Sequence, residues 1–228
     1  MPGAPVSLGE LYARLDAAYG SEVWHWMPDY VRGPMDVVAG AVLVQHTNWR
    51  NAERALDAMR DAGALDPAVI VAMELEALAA LIRVSGTPSI KARRLRALAE
   101  AIAAAGGLDA FLALPLVEMR PRLLATHGIG PETADAITLY AAGRRVFVID
   151  AYTRRVFRRI GIGPERDGYE DWRLWFEAEL EDADVTLFQR YHAWIVLHAK
   201  AVCRSRPLCG RCVLIDRCAE GSDGVRAG

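Results

Sequence analysis

The stretch Leu123-Leu-Ala-Thr-His-Gly-Ile-Gly-Pro-Glu-Thr-Ala-Asp135 decides how this 228-residue chain folds. It predicts a helix that runs into the turn Gly128-Ile129-Gly130 and a second helix that begins at Pro131, since proline is favoured at the first helical position. The glycines permit a tight turn that can approach another surface closely. Free N–H groups around Gly128, Gly130 and Thr133 would then form an anion site suited to a phosphate, such as that of DNA. An ordinary helix–helix connection is the alternative interpretation.

Outward from this turn, the hydrophobic periodicity is helical along nearly the whole chain. Only residues 145–149 resemble a strand, and they are too few to build a sheet. The sequence therefore predicts an all-α protein in which the region after Gly143 is able to form a second lobe. The predicted helices span residues 8–19, 35–45, 51–62, 74–83, 91–105, 108–112, 116–126, 132–142, 151–160, 171–180 and 186–202.

The overall charge of the chain does not indicate nucleic-acid binding, because the net charge is −2 with 25% charged residues. A DNA-binding surface would have to concentrate its positive charge on one face. Residues 1–20 lack the basic stretch and apolar core of a secretion signal, and no apolar run reaches the about 18 residues of a membrane span. We therefore expect a soluble, cytoplasmic protein, in which disulfides are disfavoured.

All four cysteines lie in one stretch: Cys203, Cys209, Cys212 and Cys218 have the spacing C-x5-C-x2-C-x5-C. Four thiolates this close in sequence can surround one tetrahedral metal ion or one iron–sulfur cubane. A disulfide framework is disfavoured in a cytosolic chain. The spacing therefore predicts metal ligation and leaves zinc and a cluster as alternatives.

A single carboxylate follows a strongly apolar run: Asp150 comes after residues 146–149 and opens the next predicted helix. The simplest role of Asp150 is an N-cap, because its side chain can accept a hydrogen bond from a free N–H of the first turn. Capping is compatible with catalysis, since it holds a carboxylate rigidly at the lip of a groove. Four arginines on that helix could contact DNA or solvate an exposed face: Arg154, Arg155, Arg158 and Arg159.

Taken in order along the chain, these segments resemble the endonuclease III branch of the helix-hairpin-helix DNA glycosylases. Residues 127–134, residues 148–152 and the cysteine tract carry the resemblance, and residues 43–47 and 86–92 are similar to that branch's early helices. The resemblance implies a two-lobed all-α fold with a DNA cleft between the lobes and a nucleotide flipped into it. The helical barrel lobe, with six helices, would comprise residues 33–142 and end in the hairpin. The iron–sulfur cluster lobe would comprise residues 1–32 and 143–228.

The resemblance also implies that the four cysteines bind a [4Fe–4S] cluster in a loop at residues 203–218. The family commonly has six residues between its first two cysteines, whereas this chain has five. A related subgroup also has five, so the implied cofactor remains the cluster.

The catalytic position departs from the bifunctional members of that family. They place a lysine two residues after the second hairpin glycine, and its amine forms a Schiff base with the sugar. This chain has Glu132 there, and only Lys91 and Lys200 among its 27 basic residues are lysines. The resemblance therefore implies a monofunctional DNA N-glycosylase without efficient AP lyase activity. Water would attack C1′, while Asp150 stabilises oxocarbenium-like charge or activates the water. Glu132 would share that work, or it is a solvated first-turn residue favoured by the helix dipole.

Several residues are candidates to line a base pocket or to fill the hole that a flipped base leaves: Trp24, Trp26, Gln45, His46, Tyr152 and Lys200. Trp24 and Trp26 could stack a base between their faces, or they could fill the seam between the lobes. A cationic alkylated purine would gain further from cation–π attraction. Gln45 and residues 84–88 are the candidate wedges, and Lys200 could contact phosphate instead of the base. The aromatic pair, residues 45–47 and Glu132 resemble the 3-methyladenine-excising subgroup.

The resemblance supports three functional hypotheses. The first is a monofunctional glycosylase for alkylated purines. The second is an endonuclease III-like glycosylase for oxidised pyrimidines with weak or absent AP lyase activity, and the third is a catalytically weak DNA-binding iron–sulfur protein. In each case the expected partner is double-stranded damaged DNA and no membrane is involved. We expect a monomer in the cytoplasm, associated with the nucleoid if the source is bacterial.

Overall fold

The computed structural model describes residues 6–24, 26 and 31–221, and these residues confirm the all-α prediction because they contain no β-strand. In this part of the chain no helix is long and apolar enough to cross a membrane. Turns of 3-10 helix occupy Arg83–Ser85, Cys209–Arg211 and Ile215–Arg217, and a π-helical turn occupies Ile137–Ala141. The α-helices, numbered in chain order, are α1 (Leu8–Tyr19), α2 (Pro34–Leu43), α3 (Trp49–Asp61), α4 (Pro67–Ala72), α5 (Leu75–Leu81), α6 (Pro88–Ala104), α7 (Leu108–Ala113), α8 (Leu116–Ala125), α9 (Pro131–Ala136), α10 (Ala151–Ile160), α11 (Tyr169–Glu179) and α12 (Val185–Ala201).

The sequence prediction missed the short helix α4. This helix has six residues, and five of them have apolar side chains, so that it shows no polar face. It begins after Asp66, whose carboxylate accepts hydrogen bonds from the N–H groups of Ala68 and Val69 at 2.8 and 3.1 Å. The remaining helices agree with the predicted ones apart from their ends, and the helix predicted over residues 132–142 continues as the π-helical turn beyond α9.

Residues 145–149, which resemble a strand in sequence, form no strand, in agreement with the prediction that they are too few to build a sheet. Residues 146–149 are at most 1% exposed. Side chains satisfy part of the backbone of this segment instead. The Phe147 N–H donates to the Glu177 carboxylate at 3.0 Å, and the Ile149 N–H donates to the Tyr169 hydroxyl at 3.3 Å. A buried backbone donor needs such a partner, and here helix α11 supplies it.

The described residues divide into two compact units. The terminal unit contains residues 6–24 and 145–221, and the central unit contains residues 26 and 31–144. In the terminal unit, α12 packs against both α1 and α10. Its core is aromatic: the Phe147 ring stacks on Phe176 with 4.1 Å between centroids, and Tyr191 meets Phe147 edge-on.

A buried lysine organises the central unit. Helix α2 packs against α3, α6 and α9, and nearly every one of its side chains is buried. Lys91 of α6 is 1% exposed, and its ammonium donates to the carbonyl oxygens of Leu43 and Ser85 at 2.7 and 2.6 Å. It therefore ties the carbonyl end of α2 to the 3-10 turn before α6, where the helix dipole favours a cation. Burial lowers the pKa of Lys91 to about 8.

The hairpin between α8 and α9 is braced from two sides. Gly128 has a φ of +78°, and a Cβ at this position would lie 2.3 Å from Cγ of Arg94. The Gln45 amide donates to the Gly128 carbonyl at 3.4 Å and to the Thr133 hydroxyl at 2.9 Å. Arg94 donates in turn to the Gln45 side-chain oxygen. The turn therefore needs glycine at residue 128 for both its backbone angle and the space that Arg94 occupies.

We predict that Lys91 makes the protein more stable as the pH rises. The pKa of its ammonium is about 8 in the folded chain, against an ordinary value of 10.5. Between those values the unfolded chain binds more protons, so the free energy of unfolding should increase by about 1.4 kcal/mol per pH unit from this group. Urea unfolding of the wild type and of Lys91→Met from pH 7 to 10 measures the difference. Parallel curves for the two proteins would contradict the prediction.

We predict that Gly128→Ala destabilises the hairpin by about 1–3 kcal/mol, because alanine is strained at a positive φ and its Cβ would collide with Arg94. Gly130→Ala is the matched control, since φ at Gly130 is −89° and nothing lies within 4 Å of its added Cβ. The double variant Gly128→Ala/Arg94→Ala should regain the part of the unfolding free energy that the collision costs. It should not regain the part that the backbone strain costs. Equal unfolding free energies for the two single variants would refute this account.

Candidate functional site

Asp150 begins helix α10 as its N-cap, as the sequence predicted. Its Oδ1 accepts a hydrogen bond from the Thr153 N–H at 2.7 Å. Its Oδ2 lies 3.7 Å from Nε2 of His192, which belongs to α12. The residue is 9% exposed, so the carboxylate is largely withdrawn from water and both of its oxygens face polar groups of the terminal unit.

The surroundings of Asp150 favour its ionised form. Burial alone would raise the pKa of this carboxyl group, but the contacts with His192 and the hydrogen bond from Thr153 lower it below the ordinary value of 3.8. The carboxylate is therefore charged at neutral pH and is a weak proton acceptor. Such a group is better suited to stabilising a developing positive charge than to removing a proton.

Tyr152 and Lys200 lie in the same neighbourhood. The Lys200 ammonium is 5.7 Å from the centre of the Tyr152 ring, and the Arg155 guanidinium is 5.1 Å from it. Burial lowers the pKa of Lys200, while the charge of Asp150 acts in the opposite direction. The structure thus brings three sequence-predicted residues of the terminal unit together, namely Asp150, Tyr152 and Lys200.

Sequence reasoning missed His192. Its position on α12 carries no motif, and a single histidine on a largely apolar helix is more often a packed core residue. The available signal was its spacing from Lys200, since residues eight apart share one face of a helix. That signal becomes informative only once α12 is known to pack against α10.

The two tryptophans belong to different units. Trp24, in the terminal unit, is 4% exposed and meets the His192 ring edge-on at 6.1 Å. Trp26, in the central unit, is 7% exposed and packs against Trp49 and Tyr140 with centroid distances of 5.7 and 5.4 Å. Each indole is buried against rings of its own unit, and their action as a pair on a base stays a prediction.

The other predicted contact residues belong to the central unit. Glu132 is exposed in the first turn of α9, and Gly130 is the N-cap of that helix. Gln45, a predicted wedge, has its amide engaged with Thr133 and the hairpin carbonyl. His46 is exposed and adopts a φ of +54°, which is uncommon for a residue with a side chain.

The four cysteines line one cavity of the terminal unit. Cys203, Cys209, Cys212 and Cys218 are all partly buried around about 300 Å³ of empty space, some of it open to solvent. Among the residues that the structure describes, no three His, Cys, Asp or Glu side chains are arranged to hold a single metal ion. Four thiols around a shared, mostly apolar space are a donor set that fits an iron–sulfur cluster.

The arginines of α10 separate into two pairs. Arg155 donates to the Cys203 carbonyl at 2.9 Å, and Arg159 donates to the Cys203 sulfur at 3.4 Å and to the Arg204 carbonyl at 2.6 Å. These two arginines therefore hold the cysteine loop. Arg154 and Arg158 form ion pairs with Asp167.

His198 of α12 connects the cavity to α1. Its Nε2 lies 3.4 Å from the Cys212 sulfur, and its Nδ1 lies 3.0 Å from the Tyr19 hydroxyl. Burial lowers the pKa of His198 to about 4, so the imidazole is neutral at pH 7. Burial raises the pKa of the Cys212 and Cys218 thiols, so that both favour their protonated form.

Proteins similar to this chain are named as DNA repair enzymes. A candidate DNA repair glycosylase of Methanocaldococcus jannaschii is 36% identical over 212 residues, covering 92% of this chain and 94% of that protein. An endonuclease III of Sulfolobus acidocaldarius is 27% identical and covers 95% and 97% of the two chains.

Solved structures agree with this relationship. The H. pylori 3-methyladenine DNA glycosylase MagIII bound to 1,N6-ethenoadenine has a TM-score of 0.76 at 25% identity, covering 86% of this chain and 98% of that one. A non-covalent endonuclease III–DNA complex has a TM-score of 0.77 at 20% identity, covering 96% and 97%. The model of the HhH-GPD superfamily of base excision DNA repair proteins matches residues 39–180. The chain therefore belongs to the HhH-GPD superfamily and is a DNA glycosylase of base excision repair.

Proposed function

We propose that this protein is a monofunctional DNA glycosylase that removes alkylated purines by hydrolysis of the N-glycosidic bond. The observation that carries the proposal is the buried, ionised carboxylate of Asp150 at the start of α10. A glycosidic bond that breaks through an oxocarbenium-like transition state gains from a fixed negative charge near C1′. Water then adds to C1′, and no covalent bond to the protein is required.

The lysines support a monofunctional reaction. Glu132 occupies the position at which bifunctional relatives carry their amine. Lys91 is buried, and two backbone carbonyls bind its ammonium, so it is not available to a sugar. Lys200 is the remaining lysine of the chain, and it does not lie in the hairpin motif.

The choice of alkylated purines rests on chemistry and on one relative. The H. pylori glycosylase named for 3-methyladenine is 25% identical to this chain and was solved with an alkylated purine base. An alkylated purine that carries a positive charge is attracted by aromatic faces, such as those proposed for Trp24 and Trp26, and by a nearby carboxylate. Oxidised pyrimidines are the second candidate, favoured by the endonuclease III of S. acidocaldarius, which matches 95% of this chain.

DNA is held, in this proposal, by the hairpin backbone around Gly128, Gly130 and Thr133, which presents N–H groups to a phosphate. The proposed lobes are residues 33–142 and residues 1–32 with 143–228, and these bounds differ by up to eight residues from those of the two compact units. The flipped nucleotide reaches Asp150, near which Tyr152 and Lys200 lie. In this proposal Glu132 shares the catalytic work of Asp150, and His46 lines the base pocket or fills the space that the flipped base leaves. The enzyme acts as a cytoplasmic monomer, associated with the nucleoid if the source is bacterial.

We further propose that Cys203, Cys209, Cys212 and Cys218 hold a [4Fe–4S] cluster. When bound, the cluster supplies a rigid cross-link and a one-electron redox centre. The shared cavity and the two arginines that bind the loop backbone support this assignment. The positive charge of Arg159 beside the Cys203 sulfur also offsets the negative charge of four thiolates.

We predict that Asp150→Asn reduces base release by about 10²–10³-fold while DNA affinity is retained. The substrates are two labelled duplexes, one with an alkylated purine and one with thymine glycol, each quenched with and without hot alkali. Asp184→Asn is the matched control, because Asp184 makes the same N-cap bond at α12, to the Leu187 N–H at 2.8 Å, but is exposed.

Breaks that appear only after alkali, and mainly in the alkylated duplex, are the expected result. Breaks without alkali would contradict the monofunctional reaction. Preferred release of thymine glycol would favour the second candidate. No base release from either duplex, together with tight DNA binding, would favour a catalytically weak DNA-binding protein.

We predict that the purified protein is brown, with broad visible absorbance and about four iron atoms per chain. Arg159→Met should lose iron to a chelator about tenfold faster, because Arg159 holds the Cys203 sulfur and the Arg204 carbonyl in place. Arg158→Met removes an arginine one residue away that pairs with Asp167 instead, so it should retain iron like the wild type. Zinc in place of iron would refute the cluster.

A further inference from the structure

His192 is a buried polar residue beside the proposed catalytic carboxylate. It is 3% exposed, and its ring is covered on one side by the edge of Trp24. Burying an imidazole costs free energy unless polar groups face it. Its Nε2 lies within ion-pair distance, 3.7 Å, of Asp150 Oδ2.

The two oxygens of Asp150 have different partners. Oδ1 accepts the Thr153 N–H, a backbone bond that every residue at position 153 except proline would supply. Oδ2 faces His192, so the direction and charge of this oxygen depend on a side chain of another helix. A carboxylate held on one side only would be free to turn its second oxygen away from the sugar.

We propose that His192 is a positioning residue that holds Oδ2 of Asp150 in place during base release. The inference rests on the proposed function, because it assumes that Asp150 stabilises charge at C1′. His192 does not touch the DNA in this proposal. It acts through Asp150, because its ring Nε2 lies 3.7 Å from Oδ2 in a poorly hydrated site.

Removal of His192 should raise the pH at which the Asp150 carboxylate takes up its proton. Burial raises the pKa of Asp150, and the contacts with His192 are the largest opposing cause. Without His192, burial dominates and the carboxyl group takes up its proton at a higher pH. Base release, which needs the ionised form, should then fail at a higher pH than in the wild type.

Other groups near Asp150 do not replace His192. Lys200 of the same helix is exposed and is close enough for the charge of Asp150 to act on it. Helix α10 contributes the Thr153 amide, and α11 contributes the neutral Tyr169 hydroxyl, which bonds to the Ile149 N–H. Helix α1 packs against α12 as well, and its Asp16 pairs with Arg190 and accepts the Trp194 indole N–H, so this carboxylate is engaged by other residues of α12.

The test compares the wild type with His192→Leu, which removes the donor, and His192→Gln, which keeps one. Single-turnover base release is measured from pH 5 to 8. The wild type and His192→Gln should be flat over this range, and His192→Leu should lose about threefold or more between pH 8 and pH 5. A flat profile for His192→Leu, or the same loss in His192→Gln, would overturn the proposal.

A second measurement does not depend on activity. The Asp150 carboxyl carbon is followed by NMR during an acid titration, with thermal unfolding as the check that each variant is folded. The pKa of Asp150 should rise in His192→Leu and stay low in His192→Gln. If the wild type releases no base, the proposed function fails, whereas an unchanged Asp150 titration in His192→Leu defeats the role of His192.

Discussion

The hydrogen bond from the Thr153 N–H to the Asp150 carboxylate is the constraint on which the terminal unit depends. It joins the buried segment 146–149 to helix α10, and such a cap contributes about 1 kcal/mol to the stability of a helix. Because the cap sets where α10 begins, it also sets where Arg155 and Arg159 emerge one and two turns later. Those arginines hold the cysteine loop, so the carboxylate and the loop are placed by the same short helix.

Helix α12 supports the same two features from the other side. His192 lies beside Asp150, and His198, six residues further along, lies beside the Cys212 sulfur. A single rigid helix of 17 residues thus reaches both the candidate catalytic carboxylate and the proposed cluster. The two histidines of this helix are tolerated in buried positions because each faces another polar group. Packing α12 against α1 and α10 is therefore what allows one unit to hold both sites.

In the central unit, the side chains of Arg94 and Gln45 hold the backbone turn at Gly128 in place. Arg94 occupies the space that a Cβ at Gly128 would need, and Gln45 bonds to the turn and to the next helix. Lys91 ties the end of α2 to the turn before α6, close in sequence to Arg94. A hairpin held in this way would present its N–H groups to the proposed DNA phosphate without reordering, which lowers the entropy cost of binding.

Local properties of the sequence determined most of the helices, the glycine turn, the cysteine spacing and the cap at Asp150, because each depends on residues a few positions apart. The departure at Glu132 was likewise visible in the sequence alone. Only the tertiary structure placed His192 beside Asp150 and separated Trp24 from Trp26 into two units. It also gave the backbone of the strand-like segment 146–149 its partners, which lie on α11. Such contacts join residues far apart in the chain, and hydrophobic periodicity carries no information about which distant helices pack together.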